Sequence, residues 1–277
     1  MSNNVNEQWR YNPPGGGAPL TGSSALVRLQ RILNMHVIPG RDITSVVPPG
    51  VALANSGDFI RFDNNRVFAS GNADAGTQAN VVNRKTARNG TVYYIDRLLE
   101  FSERTIGRHI EALGTPTTSQ YNSFWQYLRN SPMYNSATGD ILQVAAGSFY
   151  TFFIPNNAAI LAAVNAGFLP GTGTVPNRVP RFVTTVPAER EQIDNFIYYH
   201  ILNKKNVASD GQESGTFETI YKFSNGDAST IFVNNSTPNT ITLNDMRNRP
   251  ANVIVASSNV LSNRCTIHLI DNYLRFN

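Results

Sequence analysis

Four histidines, one cysteine and a scatter of carboxylates carry whatever chemistry this 277-residue chain can do. The histidines are His36, His109, His200 and His268. None stands in an HxH, HxxxH or HExxH arrangement, so no metal site is encoded locally. Cys265 is the single thiol. It has no histidine partner of recognisable spacing to take its proton and reads as a small core residue rather than a nucleophile. There is no GxSxG and no Walker loop, and the glycines at 15–17, 171 and 173 are not in GxGxxG order. No cofactor is indicated. Asp96 and Asp271 each follow an isoleucine at the end of a β-prone run, where a carboxylate accepts backbone N–H bonds of the next turn. A polysaccharide-processing enzyme would have to gather its carboxylates from distant loops, with Asp140, Asp210, Asp227 and Asp245 as the candidates. Arg84-Lys85 with Arg88, and Lys204-Lys205, read as solvated loops, with an anionic glycan or phosphate patch as the alternative. Asn89-Gly-Thr91, Asn234-Asn-Ser236 and Asn235-Ser-Thr237 fit the glycosylation pattern.

The elements that must position these residues come twice. LQRILNMHVIPG at 29–40 parallels NFIYYHILNKK at 195–205, each with a histidine inside a short apolar run. ANVV at 79–82 parallels ANVI at 251–254, and GTVYYIDRLLEF at 90–101 parallels CTIHLIDNYLRF at 265–276. The three offsets, 164, 172 and 175 residues, grow in chain order, as two copies with longer loops in the second would give. A histidine repeated at equivalent places and facing a core is expected to be structural, with one ring nitrogen bonded to a buried carbonyl.

Periodicity sketches the unit. Ile193, Phe196, Ile197, His200 and Ile201 form one helical stripe, and Pro187 with Glu189 and Glu191 makes its first turn. Phe59–Phe62 is expected as a strand, with Thr219–Phe223 as its partner in the second copy. Ile231–Val233 and Thr240–Leu243 read as strands joined at Asn234-Asn235, a turn matched by Asn64-Asn65. Thr91–Ile95 and Thr266–Ile270 close the two copies with the period of two of a strand. The second copy also has an upstream half. It holds a helix over 118–134 with Tyr121, Phe124, Trp125 and Leu128 on one side, then a strand over Ser148–Ile154. Pro155, Asn156 and Asn157 follow as a strand-to-helix turn, with Asn156 or Asn157 capping a helix that carries Ile160, Leu161 and Val164. Residues 170–186 read as a Pro/Gly-rich loop or a pair of short turns. Residues 1–24 read as a flexible leader. Its Trp9 and Tyr11 either bind sugar or, as the preferred reading, fill a gap in the first copy, which is either truncated or completed by another segment.

Composition narrows the class. Hydrophobic residues are 41% and charged residues 15%, enough for a core. The 33 asparagines, with 20 glycines and 15 prolines, imply many turns. The net charge is +4, spread as +3 over residues 1–101 and +1 over 102–277, which is no basic stripe for nucleic acid. No run of about 20 apolar residues is present to span a membrane.

The residues resemble the fasciclin-like domain family. Tyr150–Ile160, Phe196–Leu202 and Asn263–Leu274 are similar to its first, its His-containing and its closing stretches. In the first copy only Leu33–Gly40 and Asn89–Leu99 are similar, and they match the later parts. The resemblance implies an α+β fold, a fasciclin-like β-wedge or sandwich of sheets flanked by short helices. It implies a leader at 1–24, the C-terminal part of a first domain at 25–101 and a complete second domain at 102–277. It implies structural roles for His36, Asp96, Pro155, Asn156, His200, His268 and Asp271. The family's closing-strand histidine falls on His268 but on Tyr93 in the first copy. The function implied is a non-catalytic surface adhesion or binding module, of a bacterial surface protein or lipoprotein, recognising proteins or polysaccharide. Its place is extracellular or in the cell envelope, with signal or lipid anchor outside this stretch. The alternatives are the polysaccharide-processing enzyme above and a structural spacer in a larger surface protein.

Overall fold

The computed structural model describes residues 10–13, 18–43 and 49–277. The chain divides into two compact units, Met1–Glu103 and Arg104–Asn277.

Unit 1 opens with a small ribbon, β1 (Arg10–Tyr11) and β2 (Leu20–Thr21). Tyr11 packs on the core of the unit. Trp9 and the glycines at 15–17 lie outside the described residues. Helix α1 (Gly22–Met35) begins inside the stretch expected as leader. It buries Ala25, Ile32 and Met35, one face at helical spacing. Five antiparallel strands follow as a meander: β3 (Gly50–Leu53), β4 (Phe59–Asp63), β5 (Arg66–Phe68), β6 (Ala79–Ala87) and β7 (Gly90–Ile95). The short helix α2 (Ser70–Asp74) sits between β5 and β6. One core of Ile32, Met35, Ile60, Phe62, Leu99 and Phe101 fills one face. Asn64, with φ +54°, makes the β4–β5 turn, a backbone state that asparagine tolerates.

Unit 2 carries the upstream half first: α3 (Ile106–Gly114), α4 (Asn122–Asn130), β8 (Tyr150–Pro155) and α5 (Asn157–Asn165). Helix α3 escaped the sequence reading, and α4 is shorter than the 118–134 expected. Gly114 lets the two helices meet, since a Cβ there would stand 2.2 Å from the Trp125 Cβ. A ribbon of β9 (Gly171–Thr172) and β10 (Val179–Pro180) lies within the Pro/Gly-rich stretch. Helix α6 (Pro187–Tyr199) starts on its proline, with Glu189 in the first turn. It stops one residue before His200, so Ile201 leaves the expected helical stripe and opens β11 (Ile201–Asn203). Then come β12 (Gly215–Lys222), β13 (Ala228–Thr237), β14 (Thr240–Asn244), β15 (Pro250–Asn252), β16 (Val260–Ser262) and β17 (Cys265–Ile270). The eight-stranded sheet runs β15-β14-β13-β12-β11-β8-β17-β16. Only the β8–β17 pair is parallel.

The order of strands corrects two expectations. The meander β3-β4-β5-β6 parallels β12-β13-β14-β15, so Phe59–Phe62 corresponds to β13 and not to Thr219–Phe223. Strand β13 runs straight through Asn234-Asn235, and the turn falls at Pro238-Asn239, where Asn239 has φ +59°. Buried Asn235 anchors the 208–211 loop, its amide donating to the Ala208 carbonyl at 2.8 Å.

Strand β8 is buried at all six positions. Phe152 and Ile154 enter a core shared with Ile110, Phe124, Trp125, Leu128 and Ile197. Phe153 enters a second core with Leu202, Ile231, Val233, Ile241 and Leu243. A strand covered on both faces needs a continuous apolar run, which YTFFIP supplies.

Candidate functional site

The residues that recur in the two copies converge on one place in each unit, the segment just after the closing strand. Three ties hold it, and all three are duplicated.

The first tie is a histidine at the end of a helix. His36 Nδ1 donates to the Ile32 carbonyl at 2.8 Å, and its Nε2 accepts the Leu99 N–H at 3.1 Å. His200 Nδ1 donates to the Phe196 carbonyl at 2.7 Å, and its Nε2 accepts the Leu274 N–H at 3.0 Å. A carbonyl can only accept and an N–H can only donate, so both rings are held as the neutral Nδ1–H tautomer. His200 is fully buried, and burial pushes its pKa down to about 4. His36 does not face a core as the sequence reading expected; it is exposed.

The second tie is an Asn–Asp clamp. Asp96 accepts the Asn80 backbone N–H at 2.7 Å and the Asn80 side-chain amide at 2.7 Å. Asp271 accepts the same two groups of Asn252, at 2.7 and 2.9 Å. Each aspartate N–H bonds back to the asparagine carbonyl. The carboxylates therefore cross to the ANV stretch of another strand, β6 in unit 1 and β15 in unit 2, and do not cap the following turn. These bonds hold the Asp96 carboxyl below the usual carboxylate range, the Asn80 side-chain bond most of all.

The third tie was invisible in the sequence. Asn72 Oδ1 accepts the Glu100 N–H at 3.0 Å, and Asp245 Oδ2 accepts the Arg275 N–H at 2.9 Å. Asn72 also accepts from Ala69, and Asp245 from Arg247 and Arg249. The two residues differ in type and sit in differently shaped loops, so no string match could pair them.

The remaining candidates fall apart as a catalytic set. His268 is buried in β17. Its Nε2 donates to the Val207 carbonyl at 2.9 Å, its ring stacks on Phe153, and burial lowers its pKa to about 4. The matching Tyr93 donates its hydroxyl to Asp42. His109 is buried in α3. Burial pushes the Cys265 thiol well up, away from thiolate. Asn156 caps α5, accepting the Ala159 N–H at 2.8 Å, and Pro155 ends β8. Asp140 and Asp227 are exposed, Asp227 held by Asn225 in its own turn. Asp210 is buried beside Asn235, and Asp245 is the tie above. Among the described residues no group of three or more His, Cys, Asp or Glu is placed to hold a metal. Arg84, Lys85 and Arg88 lie exposed on the β6–β7 hairpin.

Two of the concave surfaces combine apolar and polar side chains. In unit 1, a groove of about 560 Å³ runs between residues 36–43 and strand β7, floored by Ile60, Val67 and Leu99. In unit 2, a cleft of about 370 Å³ joins Phe168, Phe196, Tyr221 and Phe276 to the polar side chains of Gln192 and Asn195. Tyr221 and Phe276 lie 4.1 Å apart there, both half-buried. Among the described residues no helix is long and apolar enough to cross a membrane.

Comparison with known proteins bears on this frame. A family model described as the fasciclin domain matches residues 119–275. No curated protein matches the chain. Among solved structures, a domain pair from the insect cell adhesion molecule fasciclin I matches at 16% identity, over 90% of this chain and 80% of that chain, with a TM-score of 0.38.

Proposed function

The chain belongs to the fasciclin family, its domain model covering more than half of the sequence, and we propose on that premise that it is a non-catalytic binding module of the cell-surface adhesion type. Unit 2 is read as one complete domain and unit 1 as the later part of another. Its place is outside the cell, and its ligand is a surface protein or a polysaccharide.

One observation carries this reading. The polar groups that the two copies share are consumed in holding the frame: both ring nitrogens of His36 and His200, and both carboxylate oxygens of Asp96 and Asp271. The ring nitrogens keep no lone pair with which to take a substrate proton, and each carboxylate is engaged through both oxygens with an asparagine of its own unit. The aromatic cleft of unit 2 favours the polysaccharide branch, because ring faces beside amide side chains suit both the apolar face and the hydroxyl edge of a sugar.

The test is a binding screen of the full chain against a glycan array and solubilised envelope proteins, at low and physiological salt. Saturable binding that survives physiological salt, and that falls in a Tyr221→Ala/Phe276→Ala variant, supports the reading. Binding to neither class at either salt would move the weight to a structural spacer. Turnover of a polymer, abolished by one Asp→Asn change, would establish the enzyme instead.

A further inference from the structure

Unit 2 shows what normally lies between the two walls of the unit 1 groove. In unit 2, the residues after the helix-ending histidine form β11, and the closing strand is β17. Strand β8 runs between them, antiparallel to β11 and parallel to β17. Its Phe152 stands opposite Ile201 on one side and Ile267 on the other. In unit 1, the corresponding walls are the residues after His36 and strand β7. The Val37 carbonyl accepts the Asn55 N–H, so this wall is pinned beside β3 as β11 is pinned beside β12. Strand β7 is the last strand of its sheet, and no described strand lies between it and the 36–43 segment. The groove occupies that position.

The side chains around it repeat the message. By the offsets of the repeat, Leu33, Val37, Val92 and Tyr94 correspond to Ile197, Ile201, Ile267 and Leu269. The unit 2 residues are 0%, 0%, 0% and 1% exposed and share one core with Phe152 and Ile154. The unit 1 residues are 69%, 52%, 55% and 43% exposed. Apolar side chains have been kept at four positions that, among the described residues, nothing covers. Among the described residues unit 1 thus carries one core where unit 2 carries two, and the unmade core is the one that β8 completes.

We infer that this groove is a strand-acceptor site: it takes an extended segment of another polypeptide, apolar on both faces like Tyr150–Pro155, laid parallel to β7 and against Val37. Main-chain bonds to the outer edge of β7 would give affinity, and the apolar pockets would give register. Charge selects among occupants. The hairpin strands β6 and β7, with the residue after Asp96, carry Arg84, Lys85, Arg88 and Arg97 against Asp96 alone. Pairing two copies of this edge would double that excess, whereas a donor segment with flanking carboxylates would offset it. The inference stands apart from the ligand of the adhesion reading.

The probe is a synthetic peptide of residues 148–158 with a Glu-Glu tail, titrated into the full chain by fluorescence anisotropy. A scrambled peptide with the same tail is the control. The expected result is saturable one-to-one binding of the native order only. Backbone amides of 91–95 should slow in hydrogen exchange when the peptide is bound. Val92→Asp and, separately, Val37→Asp should each weaken binding at least tenfold with an unchanged melting temperature, because both side chains are exposed in the free protein. Two variants on opposite walls guard against one of them failing to fold. Absence of binding, equal binding of the scrambled peptide, or binding indifferent to both variants overturns the inference. So does a concentration-dependent dimer, formed without peptide and abolished by Val92→Asp, which would make a second copy the occupant.

Discussion

Strands β7 and β17 have nearly the same pattern, both run into an Ile-Asp pair, and both hand the chain on to the same three ties. Their surroundings differ. Strand β17 lies between β8 and β16 and is buried at every position, whereas β7 is an edge strand with alternate side chains exposed. The frame that holds the closing segment is therefore separable from the layer that covers it. Polar ties with local partners fix where the chain goes. Burial depends on an upstream strand and helices that are present in one unit and have no counterpart among the described residues of the other.

The sharpest way to separate the units is acid. His200 and His268 are neutral in the fold, with pKa values near 4, while an unfolded histidine titrates near 6.5. A base whose folded pKa is depressed binds its proton more readily unfolded. Stability is therefore fully present above about pH 6.5 and is lost as pH falls toward about 4. Each histidine should remove about 3 kcal/mol across that window. Urea unfolding of unit 2, followed at buried Trp125 in a Trp9→Phe background, should weaken accordingly, and His268→Gln should roughly halve the loss. Unit 1 contains neither of these two histidines and serves as the internal comparison. Equal losses in the two units would break the contrast.

Removing the covering layer comes next. Phe152→Ala should cost about 3–5 kcal/mol in unit 2, since the ring is fully buried, and should leave the unfolding of unit 1 in place. Calorimetry with and without the substitution measures both. The histidine tie should discriminate more finely. His200→Ala strands the Leu274 N–H and the Phe196 carbonyl in a dry site and should cost about 1–3 kcal/mol. His36→Ala should cost clearly less, because the His36 side chain is itself exposed. The smallest effect is the clamp of unit 1. The Asp96 carboxylate is stabilised by Asn80, so its contribution is present above about pH 4 and is lost as pH falls through its lowered value. Asn80→Ala should flatten that acid limb in a pH series of unit 1 melting temperatures.

Much of the frame was legible in the residues. The matched runs around His36 and His200, the ANV stretches and the Ile-Asp ends placed every partner of the first two ties within the repeat. Pro187 and Asn156 marked the starts of their helices because capping is a local matter of a missing or satisfied N–H. What was misread is non-local or a matter of boundaries. Ile201 fits a helical stripe by spacing, but pairing with β8 draws it into a strand. Asn234-Asn235 looks like a turn by type, but the 208–211 loop holds Asn235 in mid-strand. Asp96 and Asp271 were expected to bond forward, and they bond across a sheet. Asn72 and Asp245 are equivalent only through the backbone amides they receive.

The sequence by itself determined the α+β elements and the matched runs that recur in the two units, because period, capping and short-range bonds are written in neighbouring residues. Only the tertiary structure decided which strands lie side by side, and so which copies of the same apolar positions are buried. Val92 and Ile267 are the same kind of residue in the same kind of strand. Exposure separates them because burial belongs to the partner across the sheet, and a partner far along the chain leaves no mark on local spacing.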